Sequence, residues 1–169
     1  MARKTIHIDL MNLGSIKVAM REVEDYRRWL DEKCAELVKR LADIGQATAT
    51  AIYAGAHDYE GEREEQVTVE QRGEATYAIV ASGRTVLFLE FGAGVTYGGG
   101  HKQAGEFGFG PGTYPGQKHA MDPKGWWFVD ADGEKHHTLG NAPSMAMYNT
   151  AKELRERIEE VAREVFSND

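Results

Sequence analysis

The side chains of this sequence that could do acid–base or metal chemistry are its histidines and one short run of carboxylates. The six histidines are His7, His57, His101, His119, His136 and His137. The carboxylates are Asp58, Glu60, Glu62, Glu64 and Glu65, which share a polar segment. Carboxylates work as an acid–base pair only where burial or neighbouring charge separates their pKa values. A polar run of this kind is typical of a solvated loop, so it predicts no catalytic pair.

The spacing of the metal-ligating residues matches no common metal site. No two histidines have the four-residue offset of His-Glu-x-x-His. His136 and His137 are adjacent, so on a strand their side chains point to opposite faces and cannot easily share a metal. The single cysteine, Cys34, excludes a disulfide within the chain, and its place in a helical apolar stripe predicts a small buried hydrophobe. We therefore predict no metal ligands and no catalytic residues.

Two glycine clusters raise the question of nucleotide binding. Gly92-Ala93-Gly94 follows a predicted strand, and Gly98-Gly99-Gly100 precedes His101-Lys102. A phosphate loop needs a closing Gly-Lys-Ser/Thr and a helix whose N-terminus faces the phosphate. Neither cluster is followed by these features, so we predict no nucleotide and no other cofactor.

Length and charge restrict the class of protein. A chain of 169 residues fits one domain, 1–169, with a real hydrophobic core. The net charge of −7 argues against a nucleic-acid-binding protein, which neutralises phosphates with a basic face. No apolar run approaches the ~20 residues that span a bilayer, and residues 1–10 lack the apolar core of a secretory signal. We expect a protein that folds in a reducing cytoplasm and has no membrane partner.

Two amphipathic helices frame the predicted fold. The first spans 16–54, with a break left open near Glu24-Asp25, and the second spans 144–166, with Asn141 or Ser144 as its cap. Segments rich in strand-forming residues predict short strands at 4–9, 66–72, 75–81, 85–91, 126–129 and 135–138. The second, third and fourth of these are predicted to form an antiparallel meander. The fold class is α+β: a small antiparallel sheet packed by a long N-terminal helix and a C-terminal helix, with a long Gly-rich loop.

That loop is the insertion 92–125, in which 11 of 34 residues are glycine. Long segments without helical or strand periodicity are usually functional or disordered. Aromatic residues lie within it and directly after it, at Phe107, Phe109, Tyr114, Trp126 and Trp127. Trp126 and Trp127 are consecutive, so on a strand one faces inward and one outward, and an outward tryptophan is typical of an assembly interface. We predict these five residues to be interface residues, unless the insertion folds back over the tryptophans.

Several segments occur in an order that resembles one protein family. Val86–Gly94 reads VLFLEFGAG, Pro111–Gly116 reads PGTYPG, Gly125–Phe128 reads GWWF, and Thr138-Leu139-Gly140 precedes Met145–Asn149. This series resembles the neck, or tail-completion, family of siphovirus bacteriophages, and the resemblance covers most of the chain. Ala93 stands where that family commonly has Thr or Ser, and Phe128 stands where it commonly has Tyr.

The resemblance implies a virion structural protein and not an enzyme. Such a subunit would form a ring, expected as six copies, at the neck between head and tail, after synthesis in the host bacterial cytoplasm. Its partners would be its own copies, the head connector or stopper, and the tail terminator or tail tube. Genomic DNA would pass through the lumen without sequence-specific binding, which an acidic lining suits.

Three alternatives stay open. The first is another ring of the same joint, a tail terminator or a head-closure stopper, because these proteins share a small α+β architecture. The second is a small hydrolase that would use the acidic loop with His57 or His119. The third is a monomeric binding module whose aromatic loop is the docking surface.

Overall fold

The computed structural model of the chain describes residues 5–56, 65–95, 100–109, 122–130 and 132–167. In chain order the elements are helix α1 (Leu13–Gly55), strands β1 (Gln66–Gly73) and β2 (Thr76–Ser82), helix α2 (Val86–Phe91), a 3-10 turn (Ala104–Phe107), strands β3 (Trp126–Val129) and β4 (Lys135–Thr138), and helix α3 (Ala146–Ser167). The predicted α+β class, with a long first helix and a second helix after the strands, is confirmed. None of the described helices combines the length and the apolar character needed to cross a membrane.

Helix α1 is a single helix of 43 residues, about 64 Å long at 1.5 Å per residue. It begins after Asn12, whose side-chain oxygen accepts a hydrogen bond from the Gly14 N–H at 2.9 Å. The sequence allowed a break in this helix near Glu24-Asp25, but the structure has none there. No proline interrupts the backbone there, and Asp25 pairs with Arg28 one turn later at 3.4 Å.

The core lies where α3 packs against the second half of α1. Gly45 stands at this contact and is buried. A Cβ at this position would overlap the Ile79 side chain of β2 and would lie 2.9 Å from Leu154 Cδ1 of α3. Glycine therefore permits the close approach of three elements, and the helix continues through it. The two helices run antiparallel, since Trp29 of α1 contacts Phe166 near the end of α3.

Strands β1 and β2 form an antiparallel hairpin in which Val69 pairs with Ile79. The predicted strands 66–72 and 75–81 are thus confirmed, but the predicted third strand, 85–91, is wrong because α2 takes its place. Val86, Leu89 and Glu90 are buried together at steps of three and one. Contacts on one side of a helical turn outweigh the strand propensity of this short apolar run.

Of the remaining strand predictions, the hairpin 126–138 is confirmed and the strand 4–9 is wrong. Strands β3 and β4 form the predicted hairpin, but as a separate two-stranded sheet, with Trp127 opposite His137. The predicted strand 4–9 is wrong over its described residues, 5–9, which are not in a strand. Ile6 and Ile8 instead lie along the start of α1, where their side chains find the apolar contact that a lone strand would lack.

Candidate interface and the buried Glu90 cluster

Glu90, at the end of α2, is a buried carboxylate surrounded by hydrogen-bond donors. The Tyr53 hydroxyl donates to its Oε2 at 3.0 Å, and His101 Nε2 lies 3.2 Å from its Oε1. The backbone N–H groups of Met147 and Tyr148 donate to the same two oxygens at 2.9 and 3.1 Å. Four donors from three separate segments therefore meet on one side chain that is only 5% exposed.

This cluster has the residue types of a catalytic site but the geometry of a helix cap. The Gln103 N–H donates to His101 Nδ1 at 3.1 Å, which assigns the proton of the neutral ring to Nε2, facing Glu90. Burial, followed by the charge and hydrogen bond of Glu90, raises the pKa of Tyr53 far above its usual range. Each oxygen of Glu90 already has two partners, so the carboxylate stabilises the positive end of α3.

The cap of α3 is accordingly not the one that the sequence predicted. Neither Asn141 nor Ser144 caps it, because α3 begins at Ala146 and its first N–H groups bind Glu90. Asn141 instead donates from its side chain to the Phe88 carbonyl at 2.8 Å. An acceptor 57 residues upstream of the first N–H group that it binds leaves no signature in the local sequence.

Part of the glycine-rich insertion covers this cluster. The Phe91 ring lies 4.5 Å from the His101 ring, 4.1 Å from that of Phe109 and 5.8 Å from that of Phe107. Of the predicted interface residues, Phe109 is half-buried in this stack, whereas Phe107 is 60% exposed. Residues 100–109 therefore belong to the folded body, and deleting them would remove core contacts as well as surface.

The glycines of the motif series mark a junction where two backbones touch. Ala93 and Asn141 form an isolated antiparallel bridge, with N–H to O distances of 2.9 and 3.1 Å. A Cβ on Gly94 would overlap the Leu139 carbonyl, and a Cβ on Gly140 would overlap that of Ala93. Both glycines also have positive φ angles, +83° and +100°. The segments VLFLEFGAG and Thr138–Gly140 thus meet at these glycines, and Met145–Asn149 binds the first segment at Glu90.

The β3–β4 hairpin carries the clearest exposed surface. Its outward side, here called the hairpin face, consists of Trp127, Val129, Lys135 and His137. Trp127 is 68% exposed and Val129 is 59% exposed, while Trp126 lies half-buried on the opposite side. The predicted alternation of the two tryptophans is confirmed, and the described residues of the insertion leave Trp127 exposed.

The turn of this hairpin brings together three side chains that could hold a cation. Ligand atoms of Asp130, Glu134 and His136 lie within 4.8 Å of one another. His136 Nε2 lies 2.6 Å from Asp130 Oδ2, and the N–H groups of Asp132 and Glu134 donate to Asp130 Oδ1. The hydrogen bond from His136, with those N–H groups, lowers the pKa of Asp130. Through these hydrogen bonds, Asp130 stabilises the turn between β3 and β4.

Other candidates from the sequence are not brought into a site. Tyr114, His57, His119 and the carboxylates from Asp58 to Glu64 lie outside the described residues. Glu65 accepts a hydrogen bond from the Thr85 hydroxyl. Cys34 is a half-buried free thiol on α1.

No protein-family model, curated protein or solved structure matches this chain.

Proposed function

We propose that this chain is a virion structural protein of a long-tailed bacteriophage, a neck or tail-completion subunit of the head–tail joint. Its copies would form a ring, six of them if it follows the tail, that joins tail to head and lets DNA pass. The observation that carries the proposal is the hairpin face, on which Trp127 is 68% exposed beside an exposed Val129. Aromatic anchors of this kind are enriched at the centres of protein interfaces.

Two further observations support a structural role. The resemblance rests on an ordered series of segments: two of them meet at Gly94 and Gly140, and a third, Met145–Asn149, binds Glu90 of the first. The cluster with the residue types for acid–base catalysis has Glu90 saturated by four donors, as a capping group requires. The proposed partners are the chain's own copies, the head connector or stopper, the tail terminator or tube, and DNA contacted without sequence specificity.

The test uses a phage whose genome carries this sequence. Without the protein, full heads and finished tails should accumulate separately, and purified protein should join them in a mixed lysate. The Trp127→Ala variant should fold but join them poorly, whereas Ile158→Ala, which shortens an apolar side chain 49% exposed on α3, should join them normally. Infectious virions assembled without the protein would contradict the proposal. Electron microscopy of the joined particles distinguishes a neck ring from a terminator or stopper by its position.

A further inference from the structure

The start of α1 carries an apolar groove that α3 does not reach. Helix α3 has 22 residues, about 33 Å, and its last turn contacts α1 at Trp29. The groove lies before that point and has a volume of about 370 Å³. Its apolar lining consists of Ile6, Ile8, Ile16, Ala19, Met20 and Val23. We call these residues, with Glu24 at the edge, the α1 groove.

The groove is open to solvent although its lining is apolar. Ile8 is 53% exposed, Met20 is 59% exposed and Val23 is 55% exposed. Among the described residues of the lining, Glu24 is the one with a charged side chain, and it places a negative charge at the edge of an apolar floor. An occupant that fits it would be a bulky apolar side chain next to a cation.

The hairpin face has that composition on the same chain. Trp127 and Val129 supply the apolar part, and Lys135 pairs directly across the strands with Val129. The chain's own hairpin does not line the α1 groove. Within the described part of the chain, neither Lys135 nor Glu24 takes part in an ion pair, so both charges are available to a second molecule.

We propose that the α1 groove receives the hairpin face of a second copy of this chain, with Lys135 against Glu24. This inference rests on the proposed role as a ring subunit and names the two surfaces that would meet. The two surfaces differ, so the contact is head-to-tail: each copy offers its hairpin face to one neighbour and its groove to the other. Repeated contacts of this type close into a ring when the rotation per subunit allows it.

A charge exchange on the full chain tests the pairing. Sedimentation velocity and light scattering would measure self-association of wild type, Lys135→Glu, Glu24→Lys and the variant with both changes. Each single change places like charges opposite each other and should weaken association about 10-fold, and the double variant should return to within about 3-fold of wild type. An equimolar mixture of the two single variants should also assemble, because every contact then joins opposite charges.

Two further variants separate this contact from general effects. Trp127→Ala should weaken association about 100-fold or more, since it removes the side chain that fills the groove. Glu74→Lys makes the same charge change at the exposed β1–β2 turn and should leave association unchanged. Circular dichroism of each variant checks that it is folded.

The outcomes distinguish this inference from the proposed function. Single variants that associate like wild type, a double variant that is not restored, or a wild type that stays monomeric up to about 1 mM would overturn the groove contact. Any of these would leave a neck subunit that assembles only on its head or tail partners. Association that follows the charge exchange, with virions that assemble without the protein, would support the contact and refute the neck role.

Discussion

At the scale of single residues, Glu90 connects segments that are far apart in the sequence. It receives hydrogen bonds from α1 through Tyr53, from the insertion through His101 and from the start of α3 through two backbone N–H groups. Removing a carboxylate from water is costly. It is tolerated here because each of the four donors forms a hydrogen bond with a lone pair of the carboxylate. The same donors would be left without an acceptor if the side chain were shortened.

We therefore expect Glu90→Ala to lower the free energy of unfolding by about 3 to 5 kcal/mol, because several buried donors lose their partner at once. Glu90→Gln should cost less, about 1 to 3 kcal/mol, since its amide oxygen still accepts and its amide nitrogen can donate to the Tyr53 hydroxyl. Urea unfolding followed by circular dichroism measures both values. Glu74→Ala, at an exposed turn, is the control and should change stability by less than about 0.5 kcal/mol.

Tyr53 should make stability depend on alkaline pH. Its pKa is raised above the ordinary value of 10.0, so folding favours the neutral phenol. The contribution is fully present below pH 10 and is lost as pH rises above that value. Wild type should then lose stability between pH 10 and 11 more steeply than Tyr53→Phe, which has no phenol to ionise. Parallel pH profiles of the two proteins in urea unfolding would show that the buried phenol is not stabilised in its neutral form.

At the scale of elements, the junction between the end of α2 and the segment before α3 depends on backbone contact. Gly140 has φ +100° and faces the Ala93 backbone, whereas Gly133, in the β3–β4 turn, has φ +83°, and beyond its chain neighbours a Cβ there would meet no described atom within 4 Å. The two glycines share the conformational requirement and differ in the space around them. They therefore allow the steric cost of a side chain to be separated from backbone strain.

Gly140→Ala should lower the free energy of unfolding by about 3 kcal/mol or more, because the methyl group would force the two backbones apart. Gly133→Ala should cost only about 1 kcal/mol, the strain of a positive φ in alanine. Thermal and urea unfolding of the two variants measures the difference. Equal losses would mean that the junction tolerates separation and that conformation alone selects glycine there.

The elements also show what the sequence could and could not predict. The long periodic stripe of α1 and the alternation in 66–72 and 75–81 predict their structures, because a repeated local pattern determines which face is buried. The run Val86–Phe91 has only six residues and strand-forming side chains, and its helical form depends on the buried contacts of Leu89 and Glu90. The opposite orientation of Trp126 and Trp127 was predictable, since it requires only that they lie on a strand.

Of the candidate surfaces and sites, some could be predicted from the sequence and others could not. Strand alternation predicts that one of Trp126 and Trp127 faces outward, and the structure shows that it is Trp127. The α1 groove could not be predicted from the sequence. The spacing of Ile6 and Ile8 is that of one face of a strand, but in the structure these two side chains lie against the first turns of α1. The Glu90 cluster could not be predicted either, because Tyr53, His101 and Tyr148 approach Glu90 only in the folded chain.

At the scale of the whole molecule, α1 is about twice as long as the helix that packs on it. Its second half is buried by α3 and the β1–β2 hairpin, while Val18, Met20 and Val23 in its first half are more than 50% exposed. The two halves of one continuous helix should therefore differ in local stability.

Hydrogen exchange should resolve this difference. Amides of residues 16–26 should exchange at least about 10-fold faster than those of residues 42–53 in the isolated chain, because the first half can fray without opening the core. Mass spectrometry of peptic peptides measures both ranges in one experiment, with α3 as an internal reference for the core. Uniform protection along α1 would mean that its first half is stabilised by contacts other than those described.

The pairing of α1 with α3 also sets the order of events during synthesis. The stripe of α1 around Ala42, Gly45 and Ala49 leaves the ribosome about 100 residues before its partner helix is made. At 5–20 residues per second, that delay is roughly 5 to 20 seconds, during which the part of the helix face that α3 covers stays exposed. The acceptor that caps α3, by contrast, is already in place when α3 emerges. The contact between α1 and α3 therefore closes only after the segment that contains α3 has been made.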